Sequence, residues 1–167
     1  MTGKTKKFFG TDGIRGCANV YPMDPNTVLK IGRALGYYLK QKHKRPRVLI
    51  GKDTRKSGYL LEQALSAGLC SVGAETFLLG PLPTPGIAYL TRGLRVTCGI
   101  VLSASHNPFS DNGIKIFSST GYKLTDEEES EIEQLIGSTK VKNFSVTGGD
   151  LGLCTRIDDA MGQYAVF

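Results

Sequence analysis

The residues of this sequence best suited to chemistry are a serine and a lysine that follow one apolar segment. Residues 96–102 are largely apolar, and they lead directly into Ser103-Ala104-Ser105-His106-Asn107-Pro108. Ligands of open α/β folds bind where the carboxyl ends of the strands meet, so this order predicts that the Ser105 hydroxyl lies at the reactive edge of a sheet. Asn112-Gly113-Ile114-Lys115 then adds a glycine turn and a cation. We interpret Ser105 as a nucleophile that Lys115 supports.

Ser105 is better suited to carrying a phosphoryl group than an acyl group. The G-x-S-x-G elbow of many serine hydrolases is absent around it. Adjacent side chains on extended backbone point to opposite sides, so we do not expect His106 to act as the base of a conventional triad. Serine, asparagine and proline also form ordinary turns, and a plain strand-to-loop junction is the alternative interpretation.

Phosphoryl transfer requires positive charge around the transferring oxygens. Besides Lys115, the sequence offers Arg15 in Gly10-Thr11-Asp12-Gly13-Ile14-Arg15-Gly16, where small residues let the backbone approach a ligand closely. An ordinary tight turn is the alternative there. Gly51-Lys52-Asp53-Thr54-Arg55 follows the end of a further predicted strand. Three such polar segments at one edge of a sheet together predict a site for an anionic ligand.

Helices and strands alternate along the chain. Strands are predicted at 47–51, 75–79, 97–102 and 114–117, the last one antiparallel to its neighbours. Helices are predicted to begin at Asp24-Pro25, Ser57, Thr84-Pro85 and Thr125, where N-cap residues and prolines stand at helix-starting positions. The alternation predicts a three-layer α/β/α domain with a mixed, mostly parallel sheet. The acidic residues after Thr125 complement the dipole of their helix, which we favour over metal binding.

Composition limits the partners. A net charge of +6 favours anionic ligands, but basic and aromatic residues are not interleaved, so we predict no nucleic-acid partner. No segment approaches the roughly 20 apolar residues that cross a bilayer, and the start does not resemble a signal peptide. The four cysteines have no zinc-like spacing. We therefore predict a cytoplasmic protein without a membrane partner.

The end of the chain suggests a second domain. A new helical pattern begins at Thr155 and runs through Ile157, Met161 and Tyr164, and the chain stops at Phe167 without a helix-ending signal. We predict one domain over residues 1–154 and the start of a truncated second domain over residues 155–167.

Five segments occur in the order seen in the α-D-phosphohexomutases, and the chain resembles that family from about Lys7 to its end. The residues flanking Ser105 are most similar to those of the family members that act on amino-sugar phosphates. The resemblance implies the fold of the family's first domain. The segments are Phe9 to Gly16, Gly51 to Arg55, Gly80 to Pro85, Ser103 to Pro108 and Asp111 to Lys115.

The resemblance implies that Ser105 is a phosphoserine in the resting enzyme. The enzyme would interconvert glucosamine 6-phosphate and glucosamine 1-phosphate through a hexosamine 1,6-bisphosphate, on the way to amino-sugar nucleotides and peptidoglycan precursors. A phosphate oxygen on Ser105 would be one ligand of Mg²⁺, and His106 would help to place the phosphate or the substrate. Lys115 and Arg15 would lie beside the transferring group. Further phosphate or substrate contacts are predicted at Thr11, Asp12, Lys52, Arg55 and Asn107.

Family features beyond the first domain are absent from the sequence. The D-x-D-x-D-R motif that supplies the other Mg²⁺ ligands does not occur, and neither do the sugar-reading and phosphate-gripping loops. We therefore expect this chain to be inactive alone, with its missing C-terminal domains and a phosphorylated amino sugar as partners. The alternatives are a phosphomannomutase or phosphoglucomutase, and a non-catalytic domain that binds phosphorylated ligands.

Overall fold

Six strands form one mixed sheet in a computed structural model that describes residues 8–165. The sheet order is β1-β5-β4-β2-β3-β6. Strands β2, β3, β4 and β6 are parallel, and β5 is antiparallel to both of its neighbours, β1 and β4, which confirms the mixed, mostly parallel sheet. The strands are β1 (Ile14–Cys17), β2 (Arg47–Lys52), β3 (Glu75–Pro81), β4 (Cys98–Leu102), β5 (Asp111–Ser118) and β6 (Cys154–Arg156).

The helices begin at or next to the predicted residues. Asp24 accepts a hydrogen bond from the Thr27 amide, and Thr125 forms a capping box with Glu128, so both predicted caps are confirmed. No helix in the described part of the chain combines the length and the apolar character needed to cross a membrane. The helices are α1 (Pro25–Lys42), α2 (Lys56–Cys70), α3 (Thr84–Gly93), α4 (Asp126–Leu135), α5 (Thr139–Lys142) and α6 (Ala160–Ala165), with a short 3₁₀ helix at Gly148–Asp150.

Helices cover both faces of the sheet because the central strands are apolar on both sides. On β2, Val48 and Ile50 join the core under α1, α2 and α4, while Leu49 joins the core under α3 and α6. This alternation follows from the two-residue period of a strand. The result is the predicted three-layer α/β/α arrangement, and it leaves the carboxyl ends of β2 and β4 free to carry loops.

The chain after residue 150 differs from its prediction. Residues 154–156 form the edge strand β6, which pairs with β3, and the helix predicted from Thr155 starts only at Ala160. Pairing with an open sheet edge overrides the helical spacing of the apolar residues here, because a strand exposes fewer unpaired backbone groups at that edge. The predicted domain boundary after residue 154 falls inside this strand. Residues 1–7 and 166–167, which belong to the two predicted domains, lie outside the described residues.

Candidate active site

The serine loop, residues 103–110, leaves the carboxyl end of β4 and returns into β5. Its first residue continues the pairing of the two strands, since the Ser103 amide donates to the Gly113 carbonyl at 3.0 Å. The Ser103 hydroxyl then accepts a hydrogen bond from the Ser105 amide, also at 3.0 Å. These hydrogen bonds fix the start of the loop to the end of the buried strand. Ser105 therefore lies at the sheet edge where the sequence predicts it.

Ser105 adopts a left-handed backbone conformation, with φ of 56°. Residues other than glycine seldom adopt it, and such conformations are concentrated at functional sites. The turn brings the Ser105 Oγ within 3.4 Å of the His106 Nδ1. The expectation that the two side chains point apart is wrong, because it assumed extended backbone at Ser105.

Arg55 lies beneath the serine loop and binds its backbone. One terminal nitrogen donates to the carbonyls of Ser105 at 2.9 Å and Asn107 at 3.0 Å, and the other to those of Pro108 and Asp111. The Arg55 Nε is paired with Asp53 at 2.9 Å. The N–H donors of the Arg55 guanidinium are thus all bonded to the protein itself. Arg55 therefore shapes the loop and is poorly placed to make the phosphate contact predicted for it.

Asp12 connects the two predicted cations. Its carboxylate forms an ion pair with Arg15 and a second one with Lys115, whose Nζ is 2.8 Å away. Hydrogen bonding from Lys115, together with the charge of both cations, lowers the pKa of Asp12 below its usual value of 3.8. Arg15 also donates to the Asn107 side-chain oxygen at 3.4 Å, which links this cluster to the serine loop.

Arg15 retains an unused donor. Its Nε is buried and has no hydrogen-bond partner in the described part of the chain, although the side chain as a whole is 28% exposed. Buried donors normally have a partner, so the unpaired Nε leaves Arg15 with hydrogen-bonding capacity that the described residues do not use. Arg15 and Asp12 line a pocket of about 370 Å³, and the exposed Thr11 lies on its wall.

Lys52 does not reach this site. It is fully buried, its Nζ is 2.6 Å from Glu62, and the same ammonium lies 4.3 Å from the centre of the Tyr59 ring. The strand extends through Lys52, which turns this side chain under α2 rather than toward the loops. The phosphate contact predicted at Lys52 is therefore incompatible with its surroundings.

Two supporting residues were not assigned a role from the sequence. The buried Asn112 donates to the Ser57 hydroxyl at 2.8 Å and accepts from the Gly113 amide, which fixes the start of β5 against α2. Asp53 accepts from both the amide and the side chain of Arg55. The Asp-x-Arg spacing of that pair is a local signal that could have identified it.

A metal ion finds few ligands within this chain. No group of three or more His, Cys, Asp or Glu side chains suited to a metal occurs among residues 8–165. Asp12, the carboxylate in the cation cluster, is already paired with Arg15 and Lys115. The described residues therefore form no Mg²⁺ site by themselves. A phosphate on Ser105 would supply one oxygen ligand to such an ion.

A family comparison accounts for this arrangement. The family model described as phosphoglucomutase/phosphomannomutase, alpha/beta/alpha domain I, matches residues 6–142. The chain belongs to the phosphoglucomutase/phosphomannomutase family. The matched segment of that family's first domain contains the serine loop, Arg55 and the ion-paired group of Asp12, Arg15 and Lys115, called the Asp12 cluster below.

Relatives and solved structures agree with the family assignment. The chain is 56% identical over 162 residues to the phosphoglucosamine mutase of Citrifermentans bemidjiense, covering 97% of the chain and 36% of that protein. It is 52% identical to the phosphoglucosamine mutase of Desulfotalea psychrophila, with the same coverage. A crystal structure of a phosphoglucomutase/phosphomannomutase family protein from Burkholderia thailandensis superimposes with a TM-score of 0.78 at 27% identity, covering 95% of this chain and 34% of that one. The chain thus spans about a third of the length of its relatives.

Proposed function

We propose that this chain is the first domain of a phosphoglucosamine mutase and that Ser105 carries the transferred phosphoryl group. The observation that supports this most is the position of Ser105 on a loop that Arg55 holds and that the Arg15–Asn107 hydrogen bond joins to Asp12, Arg15 and Lys115. The whole protein would interconvert glucosamine 6-phosphate and glucosamine 1-phosphate through a hexosamine 1,6-bisphosphate. Relatives that are 52–56% identical carry the name phosphoglucosamine mutase.

In each half-reaction, phosphorus would change its oxygen partner. In the first, a bond would form between phosphorus and a sugar hydroxyl oxygen, the bond from phosphorus to the Ser105 Oγ would break, and the sugar hydroxyl would lose its proton. In the second, the other phosphorus of the bisphosphate would bond to the Ser105 Oγ, its bond to the sugar oxygen would break, and that oxygen would take up a proton. Arg15 and Lys115 would stabilise the charge on the transferring oxygens, and a phosphate there would compete with Asp12 for them. His106, whose Nδ1 is 3.4 Å from the Ser105 Oγ, would orient the serine oxygen or its phosphate.

Mg²⁺ would neutralise phosphate charge when it is bound. A phosphate oxygen on Ser105 would be its ligand from this chain, and further ligands would come from the domains that follow. Residues 1–154 would form the first domain, and residues 155–167 would lead into the second. The four cysteines are unpaired thiols, which suits a cytoplasmic location.

The experiment uses the longer protein that contains this chain, assayed with glucosamine 6-phosphate, mannose 6-phosphate and glucose 6-phosphate. Ser105→Ala should abolish turnover, because no other group would hold the phosphate, while Ser110→Ala, a change at an exposed serine of the same loop, should leave it unchanged. Phosphopeptide mapping should find phosphate on Ser105. Turnover by the Ser105→Ala variant would overturn the role of the serine. A higher kcat/KM for mannose or glucose 6-phosphate would instead make the protein a phosphomannomutase or phosphoglucomutase.

A further inference from the structure

Cys70 and Cys154 lie at the sheet edge formed by β3 and β6, away from the serine loop. Cys154 is the partner of Thr76 in the parallel pairing of these two strands. Paired residues in neighbouring strands have side chains on the same face, about 4.8 Å apart. The Cys70 Sγ, at the end of α2, is 3.5 Å from the Thr76 Oγ1. Both thiols therefore flank the Thr76 side chain on one face of the sheet.

The backbone before β6 independently brings Cys154 toward Cys70. The Gly152 amide donates to the Cys70 carbonyl at 3.0 Å, and a side chain at Gly152 would clash with the Ala74 carbonyl and start 2.9 Å from the Cys70 Cα. The missing side chain of Gly152 thus faces the chain segment from Cys70 to Ala74, which leads from α2 into β3. Residues two apart on extended backbone point to the same face, so the Cys154 side chain lies on the side of the sheet that carries α2.

The two thiols differ in access. Cys154 is exposed, while Cys70 is partly covered. Burial raises the pKa of the Cys70 thiol, and the neighbouring Cys154 adds to this rise. Because the thiolate is the reactive form, an oxidant would meet Cys154 first and Cys70 would react second. That order, an exposed attacking cysteine with a resolving cysteine beside it, is typical of redox-sensitive pairs.

We propose that Cys70 and Cys154 form a reversible disulfide that fastens the edge strand β6 to the end of α2. The oxidant would be a small disulfide such as oxidised glutathione. The Cys154 thiolate attacks one sulfur of that disulfide, which releases one small thiol and leaves a mixed disulfide. The Cys70 thiolate then attacks the Cys154 sulfur and releases the second small thiol. The two protons of the cysteines end on the released thiols, so atoms and electrons balance.

The test treats the 167-residue chain with oxidised glutathione and measures intact mass, free thiols and cross-linked peptides. The unaltered chain should lose two of its four thiols and two hydrogen atoms of mass, with Cys70 and Cys154 found in one cross-linked peptide. Dithiothreitol should reverse the change. Cys17→Ser, which removes another exposed thiol, should behave like the unaltered chain. Cys154→Ser should keep its remaining thiols free of this cross-link.

Three results would overturn the proposal. The first is a lasting glutathione adduct on Cys154 without a cross-link. The second is a cross-link from Cys70 or Cys154 to Cys17 or Cys98. The third is that all four thiols stay free after treatment. The peptide map of the unaltered chain decides between them, so the test does not depend on how well a Cys70 variant folds. None of these readouts involves sugar phosphates, so they are independent of the proposed mutase activity.

Discussion

Arg55 is the side chain on which the shape of the serine loop depends. Its two terminal nitrogens donate to the backbone carbonyls of Ser105, Asn107 and Asp111, which the fixed fork of a guanidinium can do and a single ammonium group cannot. These bonds also explain how Ser105 is held in its left-handed conformation, since the carbonyl of Ser105 itself is one of the acceptors. The loop is thus positioned by a residue outside it.

Replacing Arg55 by lysine should therefore destabilise the chain despite the retained charge. We expect a loss of about 1.5–3 kcal/mol in the free energy of unfolding, the size of a hydrogen bond to a charged group. Urea unfolding measures the change. Arg45→Lys, at an exposed arginine, is the matched control and should change stability by less than about 0.5 kcal/mol. Equal stability of the two variants would show that Arg55 does not hold the loop.

The Asp12 cluster predicts a specific response to pH. Lys115 and Arg15 lower the pKa of Asp12 below 3.8, so ionised Asp12 stabilises the folded state above that pH. This contribution is lost as the pH falls through the lowered pKa. An NMR titration of the side-chain carboxyls should find the low pKa, and Lys115→Met should raise it toward 3.8.

Asp24 provides the control for that titration. Its pKa is lowered by hydrogen bonding from Thr27 at the start of α1, not by the cluster. Lys115→Met should therefore leave the pKa of Asp24 unchanged. A pKa of Asp12 that did not move in this variant would mean that Lys115 is not its partner in solution.

At the scale of elements, α1 and α2 touch backbone to backbone. A side chain at Gly32 would start 2.5 Å from the Leu65 carbonyl oxygen, and one at Gly68 would clash with the carbonyl oxygen of Leu29. Both obstacles are backbone atoms, which cannot move aside as a flexible side chain could. The pair of glycines therefore sets the close approach of the two helices that cover one face of the sheet.

Gly32→Ala should accordingly destabilise the chain by about 1–3 kcal/mol, the usual cost of overpacking. Gly93→Ala is the matched control, because nothing lies within 4 Å of the added methyl group at the end of α3. There the better helix propensity of alanine should stabilise the chain by up to about 1 kcal/mol. Thermal unfolding of the two variants should move in opposite directions, and a shift in the same direction would contradict the backbone contact.

At the scale of the whole molecule, the chain holds the proposed nucleophile and matches only part of the length of its relatives. It spans 36% of the length of its relatives, and the described residues offer no cluster of metal ligands. Arg15 and Lys115 are also partly neutralised by Asp12. The charge that accompanies phosphoryl transfer would therefore be stabilised only in part.

The isolated chain should consequently form no glucosamine 1-phosphate from glucosamine 6-phosphate, even with Mg²⁺ and a hexosamine 1,6-bisphosphate present. A coupled assay for the product measures this, with the longer protein as the positive control under the same conditions. Turnover by the isolated chain would mean that the proposed contribution of further domains to catalysis is unnecessary.

Signals that act within a few residues could be read from the sequence. The caps at Asp24 and Thr125, four of the six strands in the described residues and the antiparallel β5 were predicted from the sequence, whereas β1 and β6 were not. The position of Ser105 directly after a buried strand was predicted as well. Caps and apolar periodicity are local properties, because they depend on hydrogen bonds and packing within one or two turns.

Only the tertiary structure decided which polar groups are free to act. The sequence treats Lys52, Arg55 and Lys115 alike as cations near strand ends. Their different roles arise because Glu62 lies under the first, the serine-loop carbonyls surround the second and Asp12 meets the third. These partners are distant in sequence, and the free energy of burying or exposing a charge depends on them. The residue types therefore determined that phosphate chemistry is possible here, and the packing between distant segments determined which residues can take part in it.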